Sequence, residues 1–204
     1  LAEETGVITQ LTRWAFDRGI RDLASLLQAH PRLTMSINIS ARDLVSGQLR
    51  NLIEPMLATH GVPADRLTVE LTETAAMEDP DKGWTALKEL AELGVRVSID
   101  DFGSGYSSLS YLKQLPATEI KLDRSLVRDI CVSDSSRVIV QTAINMAHGL
   151  SYELVAEGVE DEGTARVLKD IGCDRLQGYW LCHPLPLASL RDWLAGPHDP
   201  LSQK

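Results

Sequence analysis

The residue types able to hold a cation or handle a proton recur at intervals along this chain: Asn38, then Glu70 and Glu73, then Asp100 and Asp101, then Lys121 and Asp123, then Glu157 and Glu160, and finally Gln177. Each group stands at the end of a short run with strand character. A single polar residue at a strand end marks no more than the chain leaving a core for water, but six such ends in succession call for a common purpose. The pair Asp100-Asp101 directly follows the largely apolar run Val95-Arg96-Val97-Ser98-Ile99. Two adjacent carboxylates repel each other unless a cation stands between them. Carboxylates and an Asn amide form a donor set of hard oxygens, which suits magnesium or manganese and offers zinc little. Two such ions about 3.5–4 Å apart can clamp a phosphodiester, one activating water and the other polarising the phosphate oxygens. Lys121 then stands among acids, where an ammonium either orients the attacking water and stabilises developing charge or forms a structural ion pair; the functional role is put first.

The elements that must position these residues alternate between strand and helix. A helical stripe of Ile8, Leu11, Ala15, Leu23, Leu26 and Leu27, interrupted in composition but not in phase by Gly19, is closed by Pro31. A strand is expected over residues 34–39, then a helix carrying Leu49, Leu52, Ile53, Met56 and Leu57 that Pro55 should bend before it ends at Gly61. A strand over 67–71 leads to a helix with Asp79 as N-cap, Pro80 at its first position and Gly94 as its stop. The pattern repeats as strand 95–99, helix 107–115, strand 119–122, helix 135–150, strand 152–155, helix 162–171, strand 175–177 and helix 187–194.

Six strand–helix units imply parallel strands with crossover helices, in an open doubly wound sheet or a closed barrel. An eight-fold barrel takes about 250 residues, so six units over residues 1–195 read as a barrel lacking its first two strands. In parallel α/β folds the carboxyl ends of the strands form the mouth of the site, which is where the polar residues fall. The glycines of the loop at 101–109 permit tight turns, but their spacing matches neither familiar nucleotide-binding pattern, so a mobile lid or structural turn is expected there.

Bulk properties narrow the classes. With 204 residues and 44% hydrophobic content the chain supports one core, here taken as 1–195 with a tail at 196–204. A net charge of -9 argues against a nucleic-acid polymer as partner, because such a surface needs a basic face. No run approaches the ~20 apolar residues of a membrane span, and no signal peptide is evident, so no membrane contact and a cytoplasmic location are expected for this segment. The chain opens on Leu1 in helix-like sequence and is read as a fragment. Cys131, Cys173 and Cys182 lack zinc or disulfide spacing and are expected to be buried free thiols. His30, His60 and His148 fall at helix ends and need no catalytic role, and Trp14, Trp84, Trp180 and Trp193 read as core or interface residues.

The segments Ser36-Ile37-Asn38-Ile39-Ser40-Ala41-Arg42, Glu70-Leu71-Thr72-Glu73, Asp100-Asp101-Phe102-Gly103-Ser104-Gly105-Tyr106-Ser107-Ser108-Leu109, Lys121-Leu122-Asp123, Ala156-Glu157-Gly158-Val159-Glu160 and Gln177-Gly178-Tyr179, in this order, resemble the EAL family of cyclic di-GMP phosphodiesterases. The resemblance implies a TIM-like (β/α)8 barrel of EAL type, without its first two strands here. It implies that Asn38, Glu70 and Asp100 bind Mg2+ or Mn2+, with Asp101 bridging or completing a two-ion site. Lys121 would hold the catalytic water and assist its deprotonation, and Glu157 would support the metal centre. Glu73 would anchor the loop Phe102, Gly103, Ser104, Gly105, Tyr106, Ser107 and Ser108, which in this family links the site to a dimer interface; Asp123, Glu160 and Gln177 would take supporting or substrate-side roles. The implied reaction opens cyclic di-GMP to linear pGpG, in a homodimer whose parent carries an upstream sensor or GGDEF domain.

The chain departs from the family pattern in two places. The Glu-Ala-Leu signature, whose glutamate is itself a ligand in the family, does not occur and is expected on a strand upstream of Leu1. His183, in Cys182-His183-Pro184-Leu185-Pro186, stands where relatives often have a basic residue and is expected to be a partly exposed loop histidine. The alternatives are a catalytically inactive cyclic di-GMP receptor and, ranked lower, an unrelated barrel enzyme that stabilises an enolate with metal.

Overall fold

A computed structural model describes residues 7–103 and 109–196. Six parallel strands, β1 (Met35–Asn38), β2 (Leu67–Thr72), β3 (Arg96–Phe102), β4 (Glu119–Leu122), β5 (Glu153–Ala156) and β6 (Arg175–Leu176), pair in sequence order in one sheet. The sheet curls into part of a barrel, as the six strand–helix units imply. The helices are α1 (Val7–Leu27), α2 (Ala41–Val45), α3 (Leu49–His60), α4 (Glu73–Met77), α5 (Pro80–Leu93), α6 (Leu109–Leu112), α7 (Arg124–Val127), α8 (Asp134–Gly149), α9 (Glu162–Asp170) and α10 (Leu187–Leu194). None is long and apolar enough to cross a membrane among the described residues.

Strand neighbours in register share a face, and this sorts the whole sheet by polarity. The pairs Ile37↔Val69, Val69↔Val97, Ile99↔Ile120 and Ile120↔Leu154 turn apolar side chains outward to the helices, where Phe16, Ile20, Leu87, Leu90, Ile144 and Leu168 bury them. The pairs Asn38↔Glu70, Glu70↔Ser98 and Ser98↔Glu119 line the opposite, inner face with polar groups. One hydrophobic layer between sheet and helices thus holds the fold, and the inner face is left for chemistry.

Local signals set most boundaries. Asp79 accepts the Lys82 N–H at 3.3 Å, Pro80 occupies the first helical position, and Gly94 ends α5 in the left-handed conformation at φ 94°. Gly19 has a packing reason beyond its tolerated place in α1: a Cβ there would meet the Met35 sulfur at 2.9 Å, so its absence lets α1 lie close against β1. α3 runs unbroken through Pro55.

Three short helices go beyond the periodic pattern. α2, α4 and α7 start directly after strands, capped by Ser40, Thr72 and Asp123. At four to five residues each they are too short to show a 3.6-residue repeat, but their caps are legible. The expected α6 region is shorter, Leu109–Leu112, and the expected start at Ser107 lies outside the described residues, as does the tail from 197.

The cysteine expectation needs correction, and of the core-or-interface reading of the tryptophans the core half does not hold for Trp14 and Trp84. Cys131 is exposed, while Cys173 and Cys182 are half-buried, so only the free state of the thiols agrees. Burial pushes the Cys173 thiol up to about 11, which makes it inert. Trp14 is 61% exposed, because its position on α1 falls off the stripe of Phe16, Ile20 and Leu23. Trp84 is also exposed, donating its indole N–H to the Gln114 carbonyl at 3.0 Å.

Candidate active site

The inner face culminates at the carboxyl ends of the strands. Glu70 is the fourth residue of β2, Asp100 the fifth of β3 and Lys121 the third of β4, while Glu157 follows β5 directly. Their side chains meet around one ammonium: Lys121 Nζ lies 3.0 Å from Glu70 Oε2, 3.1 Å from Asp100 Oδ1 and 2.6 Å from Glu157 Oε1. The lysine side chain is only 5% exposed. Burial alone would drive its pKa down, but the hydrogen bond to Glu157 and the charges of Glu70 and Asp100 outweigh that and hold it above the ordinary lysine value. Lys121 therefore stays charged through the physiological range and acts as a donor.

Asp101 joins the group through a break in strand geometry. Consecutive strand residues point to opposite faces, so Asp100 and Asp101 should diverge. Instead the β3–β4 register shifts between Ile99 and Phe102, and Asp101 takes a left-handed backbone, φ 56°. This bulge brings one carboxylate oxygen each of Asp100, Asp101 and Glu157 within 4.8 Å of one another. Desolvation, then the charges of Asp100 and Asp123, raises the Asp101 pKa; burial likewise raises Glu157 despite its bond to Lys121. Among the described residues, three carboxylates pair with one ammonium and Asp101 lies beside them, an excess of negative charge that a divalent cation would offset. The all-oxygen donor set fits Mg2+ or Mn2+.

The remaining candidates sort by element. Asn38 ends β1 in register with Glu70 and on the same face. Glu73 opens α4, and Asp123 caps α7 by accepting the Ser125 N–H at 2.9 Å, which lowers its pKa. Glu160 and Gln177 are exposed; Gln177 continues the ladder by donating its N–H to the Ala156 carbonyl at 2.9 Å. Gly178 has no room for a side chain, since a Cβ would lie 2.1 Å from the Val159 carbonyl oxygen. Phe102 is buried, and Gly103, at φ 92°, sits under Leu126. Ser104, Gly105, Tyr106, Ser107 and Ser108 lie outside the described residues. His183 is exposed and stacks on Tyr179 with ring centroids 4.3 Å apart.

At the amino ends of the strands is a second charged group that the motif reading passed over. Arg175 pairs with Glu119 at 3.1 Å and Glu153 at 2.8 Å, and Arg96 pairs with Glu153 and, at 3.9 Å, with Glu119. Its signal was a charged residue opening each of four consecutive strands.

Comparison with known proteins adds the family. The family model described as EAL domain matches residues 1–184. Cyclic di-GMP phosphodiesterase NbdA of Pseudomonas aeruginosa is 43% identical over 195 residues, 95% of this chain and 25% of the relative. Among solved structures, the PaMucR phosphodiesterase in complex with c-di-GMP superposes with a TM-score of 0.88 at 37% identity, covering 93% of this chain and 77% of that one. The EAL domain of Mycobacterium smegmatis DcpA gives a TM-score of 0.88 at 33% identity, covering 94% of this chain and 86% of that one. The chain spans about a quarter of the length of the full-length relatives it matches.

Proposed function

We propose, from the premise that this chain belongs to the EAL domain family, that it forms the C-terminal portion of a phosphodiesterase domain that hydrolyses cyclic di-GMP to linear pGpG with two Mg2+ or Mn2+ ions. The observation that carries the reading is the buried Lys121 ammonium within 3.1 Å of three carboxylates, two on strands and one just after a third, beside the bulged Asp101. A balanced ion pair would serve stability alone. An excess of carboxylates at the open end of a parallel sheet serves a cationic, anion-binding site.

Asn38, Glu70, Asp100 and Asp101 would hold the ions, with Glu157 supporting them. When bound, the ions supply Lewis acidity at a phosphate oxygen and acidify a water. Lys121, held protonated by its neighbours, orients the attacking water and donates to charge developing on the phosphate. Water oxygen bonds to phosphorus, one P–O ester bond breaks, and the leaving oxygen takes up a proton, so the ring opens to a linear dinucleotide. Glu157, bonded to Lys121 at 2.6 Å, fixes the ammonium's direction. Asp123, Glu160 and Gln177 line the substrate side, and Glu73, opening α4, supports a homodimer.

Residues 1–195 are assigned to this domain. The parent acts in the cytoplasm under an upstream sensor or GGDEF domain. Retention of the lysine and its carboxylates favours hydrolysis over a receptor role. Product formation from cyclic di-GMP with Mg2+ or Mn2+, by the chain extended upstream to the full domain and followed chromatographically, tests the reading. Asp100→Asn and Lys121→Ala should each lower turnover at least about a hundredfold; undiminished rates in either would refute the assignment.

A further inference from the structure

Asp43 is a buried carboxylate that the proposed mechanism leaves unused. It is 2% exposed and lies in α2, five residues beyond Asn38. A single oxygen, Oδ2, receives three hydrogen bonds: from Ser40 Oγ at 2.6 Å, from Thr12 Oγ1 at 2.8 Å and from the Ser40 backbone N–H at 3.2 Å. Ser40 Oγ in turn accepts the Asp43 N–H at 3.2 Å, closing a reciprocal capping box. Thr12 is itself buried in α1, so the carboxylate ties α1 to the capping turn between β1 and α2.

That point lies just behind the end of β1. The Ile39 N–H donates to the Glu70 carbonyl at 2.8 Å, and the next N–H, that of Ser40, donates to Asp43. The two backbone groups that follow Asn38 therefore have fixed partners, one on the neighbouring metal-site strand and one on the buried carboxylate. A helix cap needs only one such bond. The additional tie to Thr12 anchors the turn to α1, which is packed against β1 through Gly19.

We propose that Asp43 is a positioning residue for the cation site, fixing the turn after β1 and thereby where the Asn38 amide stands beside Glu70. The inference rests on the reading of Asn38 as a metal ligand. Groups that orient ligands from behind typically change metal affinity by about 10–100-fold. The test is Mn2+ binding to the full-length chain without substrate, by calorimetry or electron paramagnetic resonance, alongside thermal unfolding.

Asp43→Ala should weaken Mn2+ binding about tenfold. Asp43→Asn, which keeps an acceptor oxygen and the side-chain shape, should stay within about threefold of the parent, a rescue that follows from hydrogen bonding at this site. Asp161→Ala, which removes a cap from α9 between β5 and β6, near the sheet edge opposite β1, should lower the melting temperature and leave Mn2+ affinity unchanged. If Asp43→Ala does not fold, Thr12→Val removes one of the three bonds and should weaken binding by a smaller, measurable factor. Parent-like Mn2+ affinity in folded Asp43→Ala, or in Thr12→Val if that is the only folded variant, would overturn the proposal. Parent-like affinity in Asn38→Ala would instead bring down the ligand assignment on which it stands.

Discussion

The two ends of the sheet carry similar residue types and resolve them differently. At the amino ends, Arg96 and Arg175 face Glu119 and Glu153, and each carboxylate pairs with both guanidiniums. At the carboxyl ends, Glu70, Asp100 and Glu157 share the single ammonium of Lys121 among the described residues, with Asp101 beside them. The first group is neutral in sum, and only the buried Arg96 Nε is left without a hydrogen-bond partner in it among the described residues. The second holds an excess of negative charge in a partly desolvated place, an arrangement that gains from a bound cation. Charge pairing at one end of a barrel and charge surplus at the other separates the part that serves stability from the part that serves chemistry.

The sharpest way to break this contrast is to remove Lys121. Lys121→Met leaves buried carboxylates without their ammonium, and unfolding measured in denaturant should show a loss of about 3 kcal/mol in chelator. Added Mn2+ should recover part of that loss, because a ligand binding only the folded state stabilises it. At the other end, Glu119→Gln leaves two partly hydrated guanidiniums with one carboxylate fewer. It should cost about 2 kcal/mol, discounted for the exposure of Arg175, with Mn2+ giving the same increment as in the parent. An Mn2+ effect altered by Glu119→Gln would mean that the ends are coupled.

Asp161→Ala removes a cap that accepts the Thr164 N–H at 2.8 Å, and should cost about 1 kcal/mol without touching either group. The smallest effect is on pH dependence, and it has opposite signs for two sets of carboxylates. The folded-state pKa of Asp101 and of Glu157 is raised by burial, so folding disfavours their ionised forms. Their protonation on acidification from neutrality through the raised values toward the unfolded values of about 4 therefore adds stability. Asp161 and Asp123 are lowered by hydrogen bonds from Thr164 and Ser125, so their contribution is full above about 4 and is lost as pH falls through the lowered values. In metal-free protein, Asp101→Asn should flatten the gain on the mildly acidic side and leave the loss below about pH 4 in place. Identical pH profiles for parent and variant would count against the crowding of carboxylates at the site.

Much of this was legible in residue order. The Asp79–Pro80–Gly94 frame of α5 was correct to the residue, as were β4 and α10. The six polar strand ends pointed to one rim, and Glu70, Asp100, Lys121 and Glu157 do converge there. The burial of Cys131 was misjudged because apolar character states a preference, while exposure depends on which other element covers the position. The charged strand starts were overlooked because a single charge before an apolar run reads as solvent-facing.

By itself the sequence determined the alternation of strand and helix, the caps, and which side chains could reach the rim, since all of these follow from repeats and contacts a few residues apart. Only the tertiary structure decided that β3 bulges so that Asp101 turns in beside Asp100, and that Lys121 lies against a glutamate 51 positions away. Both depend on register between strands far apart along the chain, which no local pattern encodes.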